Sequence, residues 1–150
     1  MKTITVSNGD IQLNNGKIQF LTGSAKLIQD LQLWLEEPLG TGYTTPGFGS
    51  LLYEYVGQSS ANLATSTVEN EVFRVLQLYQ GQQIISLKNA QNSAMLSNWN
   101  KSEIIQNINS VKASLQYASI VVEVSITTLN NNNIQLLLSI NNSGVTVQNG

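Results

Sequence analysis

Cysteine and histidine are both absent from this 150-residue chain. Their absence removes disulfides, Cys/His zinc sites, Ser-His-Asp and Cys-His nucleophiles, and imidazole acid-base chemistry. Charge is scarce: seven Lys and Arg stand against nine Asp and Glu, a net of -2, and charged residues make up 11% of the chain, against about 25% in an average domain. So little positive charge cannot neutralise a phosphate backbone by counterion release, and nucleic acid is not an expected partner. Long apolar runs are missing too. None approaches the ~18 residues of a membrane span, and Met1 to Phe20 alternates polar and apolar residues without the basic-then-apolar order of a signal peptide. The expectation is a soluble chain made inside the cell, with no membrane partner.

Amides take the place of the missing charge. The chain has 18 Asn and 14 Gln, a surface that hydrogen-bonds well and repels neighbouring copies weakly. Such a surface suits assembly. The length is that of one domain, able to bury roughly 68–70% of its unfolded surface in a single core.

Ile4, Val6, Ile11, Leu13, Ile18 and Phe20 lie in short runs broken by Asn8-Gly9-Asp10 and Asn14-Asn15-Gly16. Asn and Gly accept the positive φ of tight turns, so short strands joined by turns are expected. From Ser24 the period changes. Leu27, Ile28, Leu31, Trp34 and Leu35 form one stripe of a helix capped by Ser24 and ended by Pro38 and Gly40. A defined glycine-rich loop, Gly40 to Ser50, follows, with Tyr43 and Phe48 to bury, and then a short helix from Leu51 to Val56 ending at Gly57.

A second long helix is expected from Asn62 to Ile85, with Val68, Val72, Val75, Leu76 and Tyr79 on one face and Gly81 a weak point. Lys88 to Asn100 reads as an ordered connector, polar except for Met95, Leu96 and Trp99. A third helix is expected from Lys101 to Val111 on the stripe Ile104, Ile105, Ile108 and Val111, with Asn100 and Glu103 spaced as a capping box. The last third alternates with period two: Ile120, Val122, Val124 and Ile126, a turn at Asn130 to Asn133, Ile134, Leu136, Leu138 and Ile140, then Val145 and Val147 after another turn. The expected fold is α+β: N-terminal short strands, about three helices, and a C-terminal antiparallel hairpin completing a mixed or antiparallel sheet. One domain over residues 1–150 is expected, with no internal repeat.

Paired carboxylates are the enzymatic constellation left, since a glycosidase needs two of them about 5–9.5 Å apart. Glu36 and Glu37 diverge on a helix, and Glu69 and Glu71 point to different faces, so neither pair converges locally. The glycine-rich loop lacks the Lys-Ser/Thr of a P-loop and does not follow a strand. No catalytic, cofactor-binding or metal-binding residue is assigned. Trp34 belongs to the core stripe, whereas Trp99 in its polar connector reads as a partner contact. Arg74, the single arginine, reads as a surface residue in a salt bridge with Glu71 or in contact with Asn70, worth little. Val145 to Gln148 reads as a further strand, either paired in the ordinary way within the domain or offering an open edge able to give or accept a strand.

Asn8-Gly9-Asp10-Ile11, then Gly23-Ser24-Ala25-Lys26-Leu27-Ile28-Gln29-Asp30-Leu31, then the loop Thr45-Pro46-Gly47-Phe48-Gly49-Ser50-Leu51-Leu52, together resemble the lysozyme-like baseplate wedge proteins, or sheath initiators, of contractile phage tails, which are related to a type VI secretion baseplate component. The Pro-Gly-Phe-Gly-Ser-Leu-Leu run is the most specific part, and the likeness covers most of the chain with the terminal hairpin. Many relatives carry a Glu-Pro-Arg signature at the helix-to-sheet junction. Neither Pro nor Arg occurs between Lys101 and Ser119, so the contact made through that signature is not carried over.

The resemblance implies a non-enzymatic virion protein assembled in the host cytoplasm. It implies six copies per baseplate, contacts with tail sheath protein, baseplate wedge proteins and the tail tube or hub, and strand exchange with sheath on the strands Ile120 to Leu129 and Ile134 to Ile140. The residues expected to meet partners are Pro46, Phe48, Trp99, Val121, Glu123, Ile134, Leu136, Val145 and Val147. Two other readings stand beside it: a peptidoglycan hydrolase using two carboxylates such as Glu54 and Glu69, and another tail adaptor such as a tail-completion protein.

Overall fold

The computed structural model describes residues 1–58, 65–93 and 99–150. The expected helix start at Asn62 and the connector residues Met95 and Leu96 lie outside them. Six two-residue strands open the chain: β1 (Thr3–Ile4), β2 (Val6–Ser7), β3 (Asp10–Ile11), β4 (Leu13–Asn14), β5 (Lys17–Ile18) and β6 (Phe20–Leu21). They pair as β1 with β6, β2 with β3 and β4 with β5, all antiparallel. Three backbone bonds close a cycle at the centre: Thr5 N–H donates to the Gln19 carbonyl (2.9 Å), Gln19 N–H to Gln12 (3.1 Å) and Gln12 N–H to Thr5 (2.9 Å).

That cycle exposes a seven-residue repeat and corrects the expectation of none. Ile4-Thr5-Val6, Ile11-Gln12-Leu13 and Ile18-Gln19-Phe20 are equivalent, and each is followed at the same spacing by Asn8-Gly9, Asn15-Gly16 or Thr22-Gly23. Asn8, Gly9, Asn15 and Gly16 all take positive φ, the conformation that two-residue hairpins demand. Gln29 fixes this plate to the next element, its amide donating to the Ile4 carbonyl (2.8 Å) and accepting from Val6 N–H (2.9 Å).

Helix α1 (Gly23–Glu36) buries Leu27, Leu31, Trp34 and Leu35 as the stripe requires. Its cap differs from expectation. Thr22 occupies the N-cap without a side-chain bond, and Ser24 instead donates to the Ser102 carbonyl. A 3-10 turn, Leu52–Tyr55, stands where the short helix was expected. Helix α2 (Thr65–Asn92) runs through Gly81 and past Ile85 into the expected connector. A Cβ at Gly81 would meet nothing within 4 Å, so the glycine costs helix propensity without forcing a break.

The third helix is a strand. Asn100 and Glu103 do form the capping box, but around a single 3-10 turn, Lys101–Glu103. Strand β7 (Ile105–Gln116) follows. Its pairing with the next strand shifts register between Ile105 and Asn107 and again between Ile108 and Ser110. Each bulge inserts one residue, so the inward positions Ile105, Ile108 and Val111 fall three apart and imitate helical spacing. The expectation of about three helices is therefore corrected to two α-helices among the described residues.

Strands β8 (Ser119–Thr128), β9 (Asn133–Asn141) and β10 (Gly144–Asn149) complete an antiparallel sheet in the order β10-β9-β8-β7. Ile120, Val122, Val124 and Ile126 face the same core as Ile134, Leu136, Leu138 and Ile140. Helices α1 and α2 cover that face, and Trp34 meets Phe48 and Tyr79 edge-on, at 4.8 and 5.9 Å between ring centres. The Tyr79 hydroxyl donates to Asp30 (2.8 Å). Burial first, and then the Asp30 charge, raise its pKa above the ordinary tyrosine value, so it stays a neutral donor.

Candidate partner-binding sheet edges

A sheet in the order β10-β9-β8-β7 has two outer strands with one side of their backbone unpaired by other strands. On β10, Gly150 N–H bonds to the Gln135 carbonyl at 2.9 Å. Directly opposed antiparallel residues exchange both bonds or neither. The even-numbered residues of β10 therefore bond to β9, and Val145, Val147 and Asn149 turn their N–H and C=O outward. On β7, Ala113 N–H leaves the sheet to reach Glu69 Oε1 at 2.8 Å, so beyond the second bulge Val111, Ala113 and Leu115 face outward.

Helix side chains occupy parts of both edges. Gln32 and Glu36, one turn apart on α1, clasp Val147: the Gln32 amide donates to its carbonyl (3.0 Å) and its N–H donates to Glu36 Oε1 (2.7 Å). One amide and one carboxylate thus imitate the donor and acceptor of a neighbouring strand. A cleft of about 380 Å³ adjoins the clasp, bounded by Val6, Ser7, Gln29 and Gln32. Along β7 the work falls to α2. Gln83 donates to the Glu103 carbonyl (2.6 Å) and accepts from Ile105 N–H (3.0 Å), while Gln80 donates to the carbonyls of Ile105 and Gln106 (3.2 and 3.0 Å).

Burial raises the Glu36 pKa above the ordinary carboxylate value, partly offset by the Val147 N–H. Between the unfolded value, about 4.3, and the raised folded one, the folded chain holds a proton that the unfolded chain has lost. Stability attributable to this group therefore falls as pH rises through that window. Glu36→Gln should keep the acceptor for Val147 and flatten the stability-pH profile there relative to the parent chain. Urea midpoints of the two proteins measured from pH 4 to 7 check this, and parallel profiles would contradict it.

The expected partner residues are dispersed. Pro46 is exposed at the tip of the glycine-rich loop, while Phe48 is half-buried against Trp34. Trp99 is half-buried beside a separate cleft of about 970 Å³ with Lys2, Thr22, Lys101 and Asn130. Val121 and Glu123 lie on the open face of the sheet, where Glu123 stands between Lys112 on β7 and Leu137 on β9. That face carries an amide and hydroxyl ladder: Asn109 donates to Thr127 Oγ1 (2.8 Å), and Ser125 Oγ to Asn133 Oδ1 (3.0 Å). The side chains of Ile134, Leu136, Val145 and Val147 are buried in the core. Of these four, Val145 and Val147 present outward backbone.

Most candidate carboxylates hold structure. Glu69 serves the β7 edge and Glu36 the β10 edge. Glu71, buried, accepts from Leu51 N–H (2.7 Å) and pairs through both oxygens with Arg74, at 2.7 Å to Nε and 2.7 Å to Nη2. Sequence reasoning missed Gln32/Glu36 and Gln80/Gln83: each pair lies one helical turn apart, but the strand edge it serves lies far along the chain. Comparison with protein-family models, with curated proteins and with solved structures returns no match for this chain.

Proposed function

We propose that this chain is a structural component of the inner baseplate of a contractile phage tail, initiating sheath assembly by offering its sheet to sheath subunits and attaching to wedge proteins. The reading starts from the resemblance carried by Asn8 to Leu52. The observation that supports it most is the β10 edge, where Val145, Val147 and Asn149 turn backbone outward and two α1 side chains hold only the middle residue. A strand from another protein would replace that clasp with a continuous ladder, its register set by alternate side chains. The low charge favours permanent assembly over free diffusion.

Deleting the terminal hairpin is too coarse a test, because β9 and β10 supply Ile134, Leu136, Leu138, Ile140, Val145 and Val147 to the core. Asn149→Pro and Leu115→Pro instead remove one outward N–H from each edge at residues whose side chains are exposed, and proline is tolerated at such edge positions. Tagged full-length chain drawn from cells making the native particle should bring down sheath and wedge proteins. The double-proline chain should keep wedge proteins and lose sheath. Recovery of neither by the parent chain would overturn the baseplate reading, and undiminished sheath recovery by the double variant would overturn strand addition.

A further inference from the structure

The clasp on Val147 constrains any strand that replaces it. A strand added beside β10 takes the outward N–H and C=O of Val147, groups that in the free chain are bonded to Glu36 Oε1 (2.7 Å) and to the Gln32 amide (3.0 Å). Glu36 Oε1 stands where the incoming carbonyl must stand, because neighbouring strands lie only about 4.7–4.9 Å apart. Both helix side chains therefore have to withdraw. Their backbones belong to α1, which covers the buried face of the sheet, so they withdraw toward that face and not toward the open one.

The same face receives one side chain of the newcomer. Directly opposed residues of paired strands share a face. The Val147 side chain is buried in the core, whereas Thr146 and Gln148 are exposed on the open face. The residue opposite Val147 thus points over α1, toward the cleft of about 380 Å³ in which Gln29, Gln32, Leu33 and Glu36 meet the turn Ser7-Asn8-Gly9. A strand slipped by one residue would send that side chain to the open face instead.

Glu36 is the one charged residue among those lining that cleft. Among the described residues its carboxylate takes a single hydrogen bond, the one from Val147 N–H, and no ion pair. Strand addition removes that bond. A half-buried carboxylate that loses its donor needs another, because burial already works against its charge. An apolar side chain opposite Val147 supplies none, and an acidic one adds repulsion. A lysine or arginine supplies both a donor and the opposite charge, and its aliphatic stem can lie along Leu33.

We infer that Glu36 selects the incoming strand: the strand that adds to β10 carries a lysine or arginine opposite Val147, whose cation takes the Glu36 carboxylate as the ladder takes Val147 N–H. In the free chain the carboxylate closes the edge, and in the complex it reads one residue of the partner. The inference rests on strand addition at β10.

Fluorescence anisotropy on the full chain tests it, with short labelled peptides of alternating threonine and valine, blocked at both ends and carrying a central lysine, glutamine or glutamate. The parent chain should bind the lysine peptide about tenfold more tightly than the glutamine peptide, and the glutamate peptide most weakly of the three. Glu36→Gln keeps an acceptor for Val147 in the free chain and removes the charge, so it should bind the lysine and glutamine peptides equally. Amide exchange of Val145 and Asn149 in the same complexes shows whether a strand has been added. Protection at both residues with equal affinity of the parent chain for the lysine and glutamine peptides, or a lysine preference that survives Glu36→Gln, would overturn the inference and leave strand addition standing. Binding of no peptide, or binding without that protection, would overturn strand addition at β10 and this inference with it.

Discussion

Replacing Gln83 by leucine should destabilise the fold by about 2–5 kcal/mol, one of the two largest effects expected of a single substitution here. Leucine keeps the volume and stays compatible with the helix. What it removes is the amide that donates to the Glu103 carbonyl and accepts from Ile105 N–H, in a place where the side chain is only 6% exposed. Two backbone groups would lose their partner away from water, and an unsatisfied buried group costs about 1–3 kcal/mol. The loss falls at the junction where the 3-10 turn becomes β7, so the register set by the first bulge would loosen with it. Urea denaturation should show a midpoint lowered by about 1–2 M. A change within about 0.5 kcal/mol would mean that the junction is held by Gln80 and by packing instead.

Gly49→Ala should cost about 3 kcal/mol or more. Gly49 sits at φ +106°, and a Cβ there would lie 2.6 Å from the Glu37 carbonyl oxygen and 2.9 Å from the Pro38 carbonyl carbon. Both are backbone atoms, and neither is free to retreat. Ser50 N–H donates to that same Glu37 oxygen at 2.8 Å, and Leu39 N–H returns to the Ser50 carbonyl at 2.9 Å. Ser50 Oγ also donates to the Leu35 carbonyl (2.7 Å), closing the end of α1. The glycine-rich loop is thus a closed excursion whose two ends are stitched together at Gly49, and the stitch holds Phe48 against Trp34. Thermal melting reads the expected loss, and quenching of Trp34 fluorescence reads the release of Phe48. A stable variant with unchanged fluorescence would show that the loop has room that the backbone contacts deny.

The parts of this fold that were legible in the sequence share one property: their periodicity is unbroken. Ile120 to Ile126 and Ile134 to Ile140 alternate without interruption, and both are strands. Leu27, Leu31, Trp34 and Leu35 hold a helical stripe, and α1 forms there. Ile105, Ile108 and Val111 misled because two bulges stretched a period of two into steps of three. The capping box at Asn100 and Glu103 reinforced the error, since it caps one turn as readily as a long helix. The N-terminal repeat was written plainly as Ile4, Ile11 and Ile18, but strands of two residues give too few positions for alternation to stand out. Its meaning appears only with the cycle through Thr5, Gln12 and Gln19.

The candidate site was legible as an open-edged strand at Val145 to Gln148, whereas the strands expected to exchange, Ile120 to Leu129 and Ile134 to Ile140, are the inner strands β8 and β9, paired on both sides, so any added strand must meet β10 or β7 instead. That Gln32 and Glu36 cover Val147, or that Glu69 covers Ala113, depends on helices meeting strands 44 to 115 positions away in the chain. Abundant Asn and Gln are consistent with such roles but do not choose among them. The same side chains also make the edges safe in the free chain, since a row of bare N–H and C=O groups invites uncontrolled pairing.

The most direct test of strand addition is amide exchange along β10, in the free chain and in a complex with sheath protein from the same particle. In the free chain, Val147 N–H is held by Glu36 whereas the N–H groups of Val145 and Asn149 face outward, so Val147 should exchange more slowly than either. On binding sheath, Val145 and Asn149 should become protected together with Val147, as a continuous ladder requires. A complex that forms and leaves the exchange of Val145 and Asn149 unchanged, with the same result at Val111 and Leu115 on β7, would contradict the account.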